Sequence, residues 1–271
     1  MHIFKLNKKE ITPENFIDNL KIKLFTKGSD HHENEDRIAY KMSNGIILIS
    51  AIDGISFPGE RCLNGGVSAQ HIKDIIENMD LNKKDVEGKE DREIALIVFE
   101  HIKKELKKIE EDKYIHNTSA IFTAAIEFFD SILNKYRAIG LYNSDGALAF
   151  KVKQKLYDHV VFMNIFKHTC DNYFVRCGVE SLNFNEVIKL DNINKTDKLV
   201  VNGYYSLKSD IPIDMIVFTD GVTSALIHKT RLWFLQRMYL KKIMKGNNKV
   251  LEEYLKKTDH DDVTYILVNF Y

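Results

Sequence analysis

The side chains with chemical potential in this 271-residue chain are carboxylates standing at the ends of strand-like runs. Glu35 and Asp36 precede the run Arg37 to Met42. Asp53 closes the stretch GIILISAIDG, whose apolar, β-branched segment from Ile46 to Ile49 reads as a buried strand. Asp220 closes a second apolar run, Ile213 to Thr219, and like Asp53 it is followed by glycine. Asp261 precedes the last run, Val263 to Phe270. An aspartate at the mouth of a buried strand is costly unless its charge is compensated. A glycine after it lets the backbone turn sharply and approach a ligand. If these strands lie side by side, their carboxylates converge, and clustered carboxylates cannot all stay ionised unaided. Hard divalent cations resolve that conflict, because Mg²⁺ or Mn²⁺ prefers oxygen ligands. No Cys/His cluster competes, which argues against zinc. Two such ions close together can bridge a water, lower its pKa and clamp a phosphoryl group for in-line attack.

The surrounding pattern supplies elements to carry these residues. Ser43-Asn44-Gly45 is a turn signal between two strand-like runs, so residues 36–53 read as a hairpin. Thr12-Pro13-Glu14 is a helix-start signal, and Lys21 to Thr26 alternates as an edge strand does. Helices are expected over Val67–Met79 and Glu93–Lys113, with the charge-dense segment Asp80–Arg92 as a solvated connection. Ala120–Phe129, Lys135–Leu141 and Ala147–Val152 read as successive antiparallel strands. Residues 153–210 carry only short apolar groups and are expected to form small elements and loops. A helical region follows over roughly 222–245, then a helix over Val250–Lys257 and the closing strand. With no internal repeat and no linker rich in Gly, Ser or Pro, residues 1–271 read as one α+β domain.

Charge and cysteine content narrow the partners. Lys+Arg and Asp+Glu both total 39, so nothing in the net charge points to nucleic acid or an anionic membrane. Cys62, Cys170 and Cys177 form no metal-ligand pattern, and an odd, low count suits a reducing compartment. The N-terminal MHIFKLNKKEITPENF lacks the apolar core of a signal peptide, and no apolar stretch is long enough to span a bilayer. A soluble, cytoplasmic monomer is expected, binding neither nucleic acid nor membrane.

At the acidic positions the chain resembles the type 2C (metal-dependent, PPM) protein serine/threonine phosphatases. Gly28 with Asn34-Glu35-Asp36-Arg37 is similar to the family's first motif, and Ile52-Asp53-Gly54 to its Asp-Gly motif. Gly65-Gly66-Val67-Ser68-Ala69 resembles the small-residue helix start that follows, and Thr118-Ser119-Ala120 the Gly-Ser/Thr-Thr-Ala segment. Phe218-Thr219-Asp220-Gly221 and Asp261-Asp262-Val263-Thr264 resemble the two closing motifs. The matches run in order over nearly the whole chain. The resemblance implies a four-layer α-β-β-α sandwich, two antiparallel sheets flanked by helices, with a variable flap within residues 153–210. It also implies two Mg²⁺ or Mn²⁺ ions, a metal-bridged water as nucleophile, and phosphoserine or phosphothreonine in a phosphorylated protein as substrate. By resemblance Asp53 bridges both ions, the Gly54 carbonyl completes one site, and Asp220 and Asp261 hold the second ion. Glu35 and Asp36 bind metal-bound waters.

Three positions depart from the family pattern. His31 stands where the family has its phosphate-binding arginine, and a histidine is a weaker, pH-dependent substitute for a guanidinium. Ile55 stands where many eukaryotic members carry a histidine, which points to a bacterial-like branch. Tyr142-Asn143 stands where a Gly-Asp often supplies a third-metal ligand, and a neutral amide is the poorer ligand. The competing expectation is a weakly active or inactive regulatory module that binds phosphoproteins or partner proteins. A Ca²⁺-binding structural domain is disfavoured because no contiguous calcium loop is present.

Overall fold

The structure is a computed structural model that describes residues 11–28, 33–55, 65–110, 119–143, 146–153, 158–164, 187–189, 202–256 and 261–270. Its strands are β1 (Leu20–Lys27), β2 (Arg37–Ser43), β3 (Ile46–Ile55), β4 (Ser119–Asp130), β5 (Lys135–Asn143), β6 (Ala147–Lys153), β7 (Asp158–Asn164), β8 (Val187–Lys189), β9 (Asn202–Ser209), β10 (Asp214–Phe218) and β11 (Val263–Phe270). Its helices are α1 (Gly65–Asn78), α2 (Lys83–Val86), α3 (Asp91–Glu110), α4 (Asp220–Lys229), α5 (Trp233–Met244) and α6 (Lys249–Tyr254).

The strands form two sheets. One has the order β1-β11-β10-β6-β7 and is antiparallel throughout. The other has the order β2-β3-β4-β5-β9-β8; it is antiparallel except at its edge, where β8 runs parallel to β9. The expected hairpin is β2 and β3, closed by Asn44 and Gly45 at positive φ (53° and 75°). Two consecutive positive-φ residues twist the turn in the sense that the strands require.

The central strands are apolar at successive positions because both of their faces are covered. Ile47, Ile49 and Ala51 of β3 point between the sheets, where they join Leu148, Phe150, Met215, Val217, Ile266 and Val268. Ile46, Leu48 and Ile52 belong instead to the core shared with α1 and α3. In the other sheet Ile216, Phe218, Tyr265 and Leu267 pack with α4, α5 and α6. Full burial of one such isoleucine or leucine contributes about 1.5–3 kcal/mol. The result is the expected α-β-β-α sandwich. No helix among the described residues is long and apolar enough to cross a membrane.

Four local expectations change. Thr12-Pro13-Glu14 opens turns and a three-residue 3₁₀ helix at Ile17–Asn19 rather than an α-helix. The segment Asp80–Arg92 contains α2, whose Asn82 and Asp85 cap each other, and its Asp91 opens α3. The region 222–245 is two helices. Thr230 adopts an extended backbone, its hydroxyl accepts the Leu232 amide (3.2 Å), and its carbonyl accepts from Gln236 (2.9 Å), which ends α4. Finally, β9 is a full strand inside a segment expected to be irregular. Its residues Tyr205-Ser206-Leu207-Lys208 alternate apolar and polar, a short strand signal that the reading of 153–210 as irregular passed over.

Candidate functional site

The hairpin brings the first acids together. Arg37 pairs with Ile52, so Asp36 enters β2 beside the point where Asp53 leaves the centre of β3. Asp53 is half-buried and lies opposite Ile121 of β4. After it the backbone is packed too tightly for a side chain: a Cβ on Gly54 would stand 2.7 Å from both the Glu35 carbonyl oxygen and the Gly65 carbonyl carbon. The Gly65 amide at the start of α1 donates to Glu35 Oε1 at 3.1 Å. Glu35, Gly54 and Gly65 are therefore one packed unit, although they are distant in sequence.

The second sheet delivers its acids to the same end. The Thr219 amide donates to the Thr264 carbonyl (3.0 Å), and the Thr264 amide donates to Thr219 Oγ1 (3.2 Å). This places Asp220, just beyond β10, against Asp261 and Asp262, just ahead of β11. A Cβ on Gly221 would lie 1.9 Å from the Asp262 carbonyl oxygen, so only glycine fits there. The Tyr254 hydroxyl lies within electrostatic reach of both Asp261 and Asp220; burial is the larger cause of its raised pKa.

Two hydrogen bonds join the sheets at this end. The Thr219 hydroxyl donates to Asp36 Oδ2 at 2.9 Å, and the Glu35 amide donates to Asp262 Oδ2 at 2.8 Å. Asp36 is 3% exposed, and its Oδ1 is buried without a hydrogen-bond partner among the described residues. Burial first, and then the neighbouring Asp262, push the Asp36 pKa up to about 7 against the opposing hydroxyls of Thr264 and Thr219. The nearby guanidinium does not neutralise it. Arg37 donates through Nη1 to the carbonyls of Asn34 (2.7 Å) and Asp36 (2.9 Å), and through Nε to Gln70 Oε1 (3.2 Å).

Glu35, Asp36, Asp53, Gly54, Asp220 and Asp261 thus belong to segments that meet at one end of the sandwich. His31 lies outside the described residues. Asn143 is the last residue of β5, opposite Asn202. Among the described residues no three Asp, Glu, His or Cys side chains are grouped closely enough to hold a metal ion in their present positions. Two participants escaped the sequence reading. Asp261 is exposed and its Oδ1 accepts the Asp262 amide (2.9 Å), whereas the buried Asp262 makes the contact with Glu35. Thr219 positions Asp36 through its hydroxyl. The doubled acid at 261–262 and a hydroxyl residue directly before Asp220 were the available signals.

No protein-family model matches the sequence, and no curated protein is similar to it. Solved structures do share its fold. A bacterial serine phosphatase superimposes with a TM-score of 0.58 at 16% identity, covering 93% of this chain and 98% of that one. The serine/threonine phosphatase Stp1 from Staphylococcus aureus gives 0.57 at 18%, covering 93% and 95%. The Mycobacterium tuberculosis serine/threonine phosphatase PstP/Ppp gives 0.54 at 14%, covering 93% and 98%. The chain has the fold of the bacterial type 2C serine/threonine phosphatases.

Proposed function

We propose that the protein is a metal-dependent phosphatase acting on phosphoserine and phosphothreonine in proteins. One observation carries this reading: the segments of Glu35, Asp36, Asp53, Asp220, Asp261 and Asp262 meet at one end of the sandwich, where Asp36 is buried beside Asp262 with an oxygen that accepts no hydrogen bond among the described residues. The donors are all oxygens, which suits Mg²⁺ or Mn²⁺. Asp53, the Gly54 carbonyl, Asp220 and Asp261 would hold two ions, with Glu35 and Asp36 reached through waters. Bound there, the ions would neutralise the acids, orient a phosphoryl group and acidify a water.

The chain's own contribution is placement. Thr219 fixes one oxygen of Asp36, and the Glu35 amide fixes one oxygen of Asp262, so both carboxylates are oriented in advance. Gly54 and Gly221 let backbone segments close to distances that a side chain would forbid. His31 would meet the substrate's phosphoryl group. The implied sandwich domain spans 1–271, its flap lies within 153–210, and the protein works in the cytoplasm as a monomer. Histidine at position 31 and Asn143 favour a second reading, a weakly active or inactive regulatory module. Phosphate release from a phosphothreonine peptide separates the readings. Activity with Mn²⁺ that EDTA abolishes is expected. Activity unchanged by EDTA contradicts the metal mechanism, and tight Mn²⁺ binding without turnover selects the regulatory module.

A further inference from the structure

At the other end of the six-stranded sheet, Arg137 sits almost fully buried, 1% exposed. Its Nη1 donates to Asp130 Oδ2 at 2.6 Å, and its Nη2 donates to Asp91 Oδ1 at 2.5 Å and to the Lys89 carbonyl at 2.8 Å. Its Nε–H is buried and has no acceptor among the described residues. A buried donor of a charged group without an acceptor is costly. Arg137 lines a cavity of about 320 Å³ together with Gly88, Lys89, Glu90, Arg92 and Lys208, among others.

The register explains why these cations meet. Arg137 pairs with Lys208 in the β5–β9 ladder, and directly paired residues project from the same face of a sheet. Lys89 and Arg92 reach the cavity from the start of α3, which Asp91 ties to the sheet through Arg137 and through Ser206 Oγ (2.6 Å). The lining holds four cationic side chains against two carboxylates, Glu90 and Asp91, and Asp91 is already committed to Arg137 and Ser206. Among the described residues, Lys89, Arg92 and Lys208 enter no ion pair. The amides that open α3 add positive potential at the same wall.

We infer that this cavity is an oxyanion subsite that takes a phosphoryl group, remote from the carboxylate end. Asp53 pairs with Ile121 near the start of β4 and Asp130 ends that strand, so the two places are separated by about 30 Å of strand. One phosphoryl group cannot serve both. Lys89, Arg92 and Lys208 supply point charges to the anion, and the enclosed Arg137 Nε–H beside them reports on the site. The exposed Leu133 on the rim leaves an apolar shoulder beside the charge, suited to a phosphoryl group carried on a peptide.

The test is a titration in EDTA, followed by the ¹H–¹⁵N signal of the Arg137 Nε–H, at constant ionic strength. The probes are inorganic phosphate, a phosphoserine peptide and the same peptide unphosphorylated. Phosphate and phosphopeptide are expected to shift the signal saturably, and the unphosphorylated peptide to leave it in place. The Arg92→Ala/Lys208→Ala double variant, which removes two exposed side chains, is expected to weaken both ligands by roughly tenfold. Phosphopeptide affinity well above that of phosphate identifies a protein-borne group, and equal affinity identifies the free anion. No saturable shift, or equal affinity in the double variant, overturns the subsite. Neither result bears on the carboxylate end, because EDTA removes its cations and the two places share no residue.

Discussion

The two ends of the sandwich treat buried carboxylates in opposite ways. At the Arg137 end, Asp130 is fully buried and Asp91 mostly so, and both contact one guanidinium. Burial works against their ionisation, but Arg137 and the surrounding hydrogen bonds outweigh it and hold both below the usual carboxylate range. Asp214 is buried beside Lys151 at 3.3 Å and also accepts the Phe270 amide. Glu127 follows a third course. It is wholly buried, its Oε1 accepts the Ile213 amide at 2.7 Å, and burial pushes its pKa well above the usual range despite that bond. At the other end, Asp36 is as buried as Asp130, yet its largest charged influence is another aspartate, and its pKa rises to about 7. Asp91, Asp130 and Asp214 each have an arginine or lysine beside them, whereas Glu127 enters no ion pair among the described residues. Among the described residues no lysine or arginine pairs with Asp36, whose charged neighbours are Asp262 and Asp261, and the proposed metal reading rests on that contrast with the Arg137 end.

The strongest way to break the contrast is Asp53→Asn. It removes the charge proposed to be shared by both ions, so kcat/KM with Mn²⁺ should fall by about 10⁴-fold or more, equivalent to roughly 5.5 kcal/mol. Steady-state kinetics on a phosphothreonine peptide measure this, and a loss below tenfold would remove Asp53 from the centre. At the opposite end, Arg137→Met leaves Asp130 and Asp91 facing each other without a cation. Urea unfolding should show a loss of about 3–5 kcal/mol, while Mn²⁺ affinity stays as in the unaltered protein.

The pH dependence of the metal-free protein sharpens the comparison. Asp91 and Asp130 have depressed pKa values, so their stabilisation is present above about pH 4 and is lost as pH falls through their folded values. Asp36 has a raised pKa, so its effect has the opposite sign: stability is greatest below about pH 4 and is lost as pH rises to about 7. In EDTA, Asp36→Asn should therefore raise stability by about 2 kcal/mol at pH 7.5 and change it little at pH 4, as read by thermal unfolding. The smallest expected effect is at His31. If the residue meets the phosphoryl group, His31→Arg should raise kcat/KM by roughly tenfold, about 1.4 kcal/mol, and more at pH 8.5 than at pH 6. Unchanged kinetics at both pH values would place residue 31 elsewhere.

What the sequence revealed and what it hid have the same physical origin. β3, β10 and β11 were legible because each is buried on both faces and so is apolar at nearly every position. Their acidic ends stood out against those runs. β9 was passed over because its alternation is short: Ser206 and Lys208 lie on one face and Tyr205 and Leu207 on the other, over only four residues. The Arg137 network was hidden because its partners are 46 residues away at Asp91 and 7 away at Asp130, and no local pattern links them. Within the site, periodicity could place the Asp261-Asp262 pair at a strand entrance but not choose between its members. That choice depends on the Asp261 carboxylate accepting the Asp262 amide, which the three-dimensional structure alone displays.

The most direct measurement is calorimetric titration of Mn²⁺ into the metal-free protein and into Asp53→Asn, near pH 7 in two buffers of different ionisation enthalpy. The expected result for the unaltered chain is saturable binding of two ions, with a buffer-dependent heat that reports protons released as Asp36 ionises. Asp53→Asn is expected to lose at least one of the two binding events. An absence of saturable binding, or identical isotherms for the two proteins, would contradict the assignment of the acidic end as a cation centre.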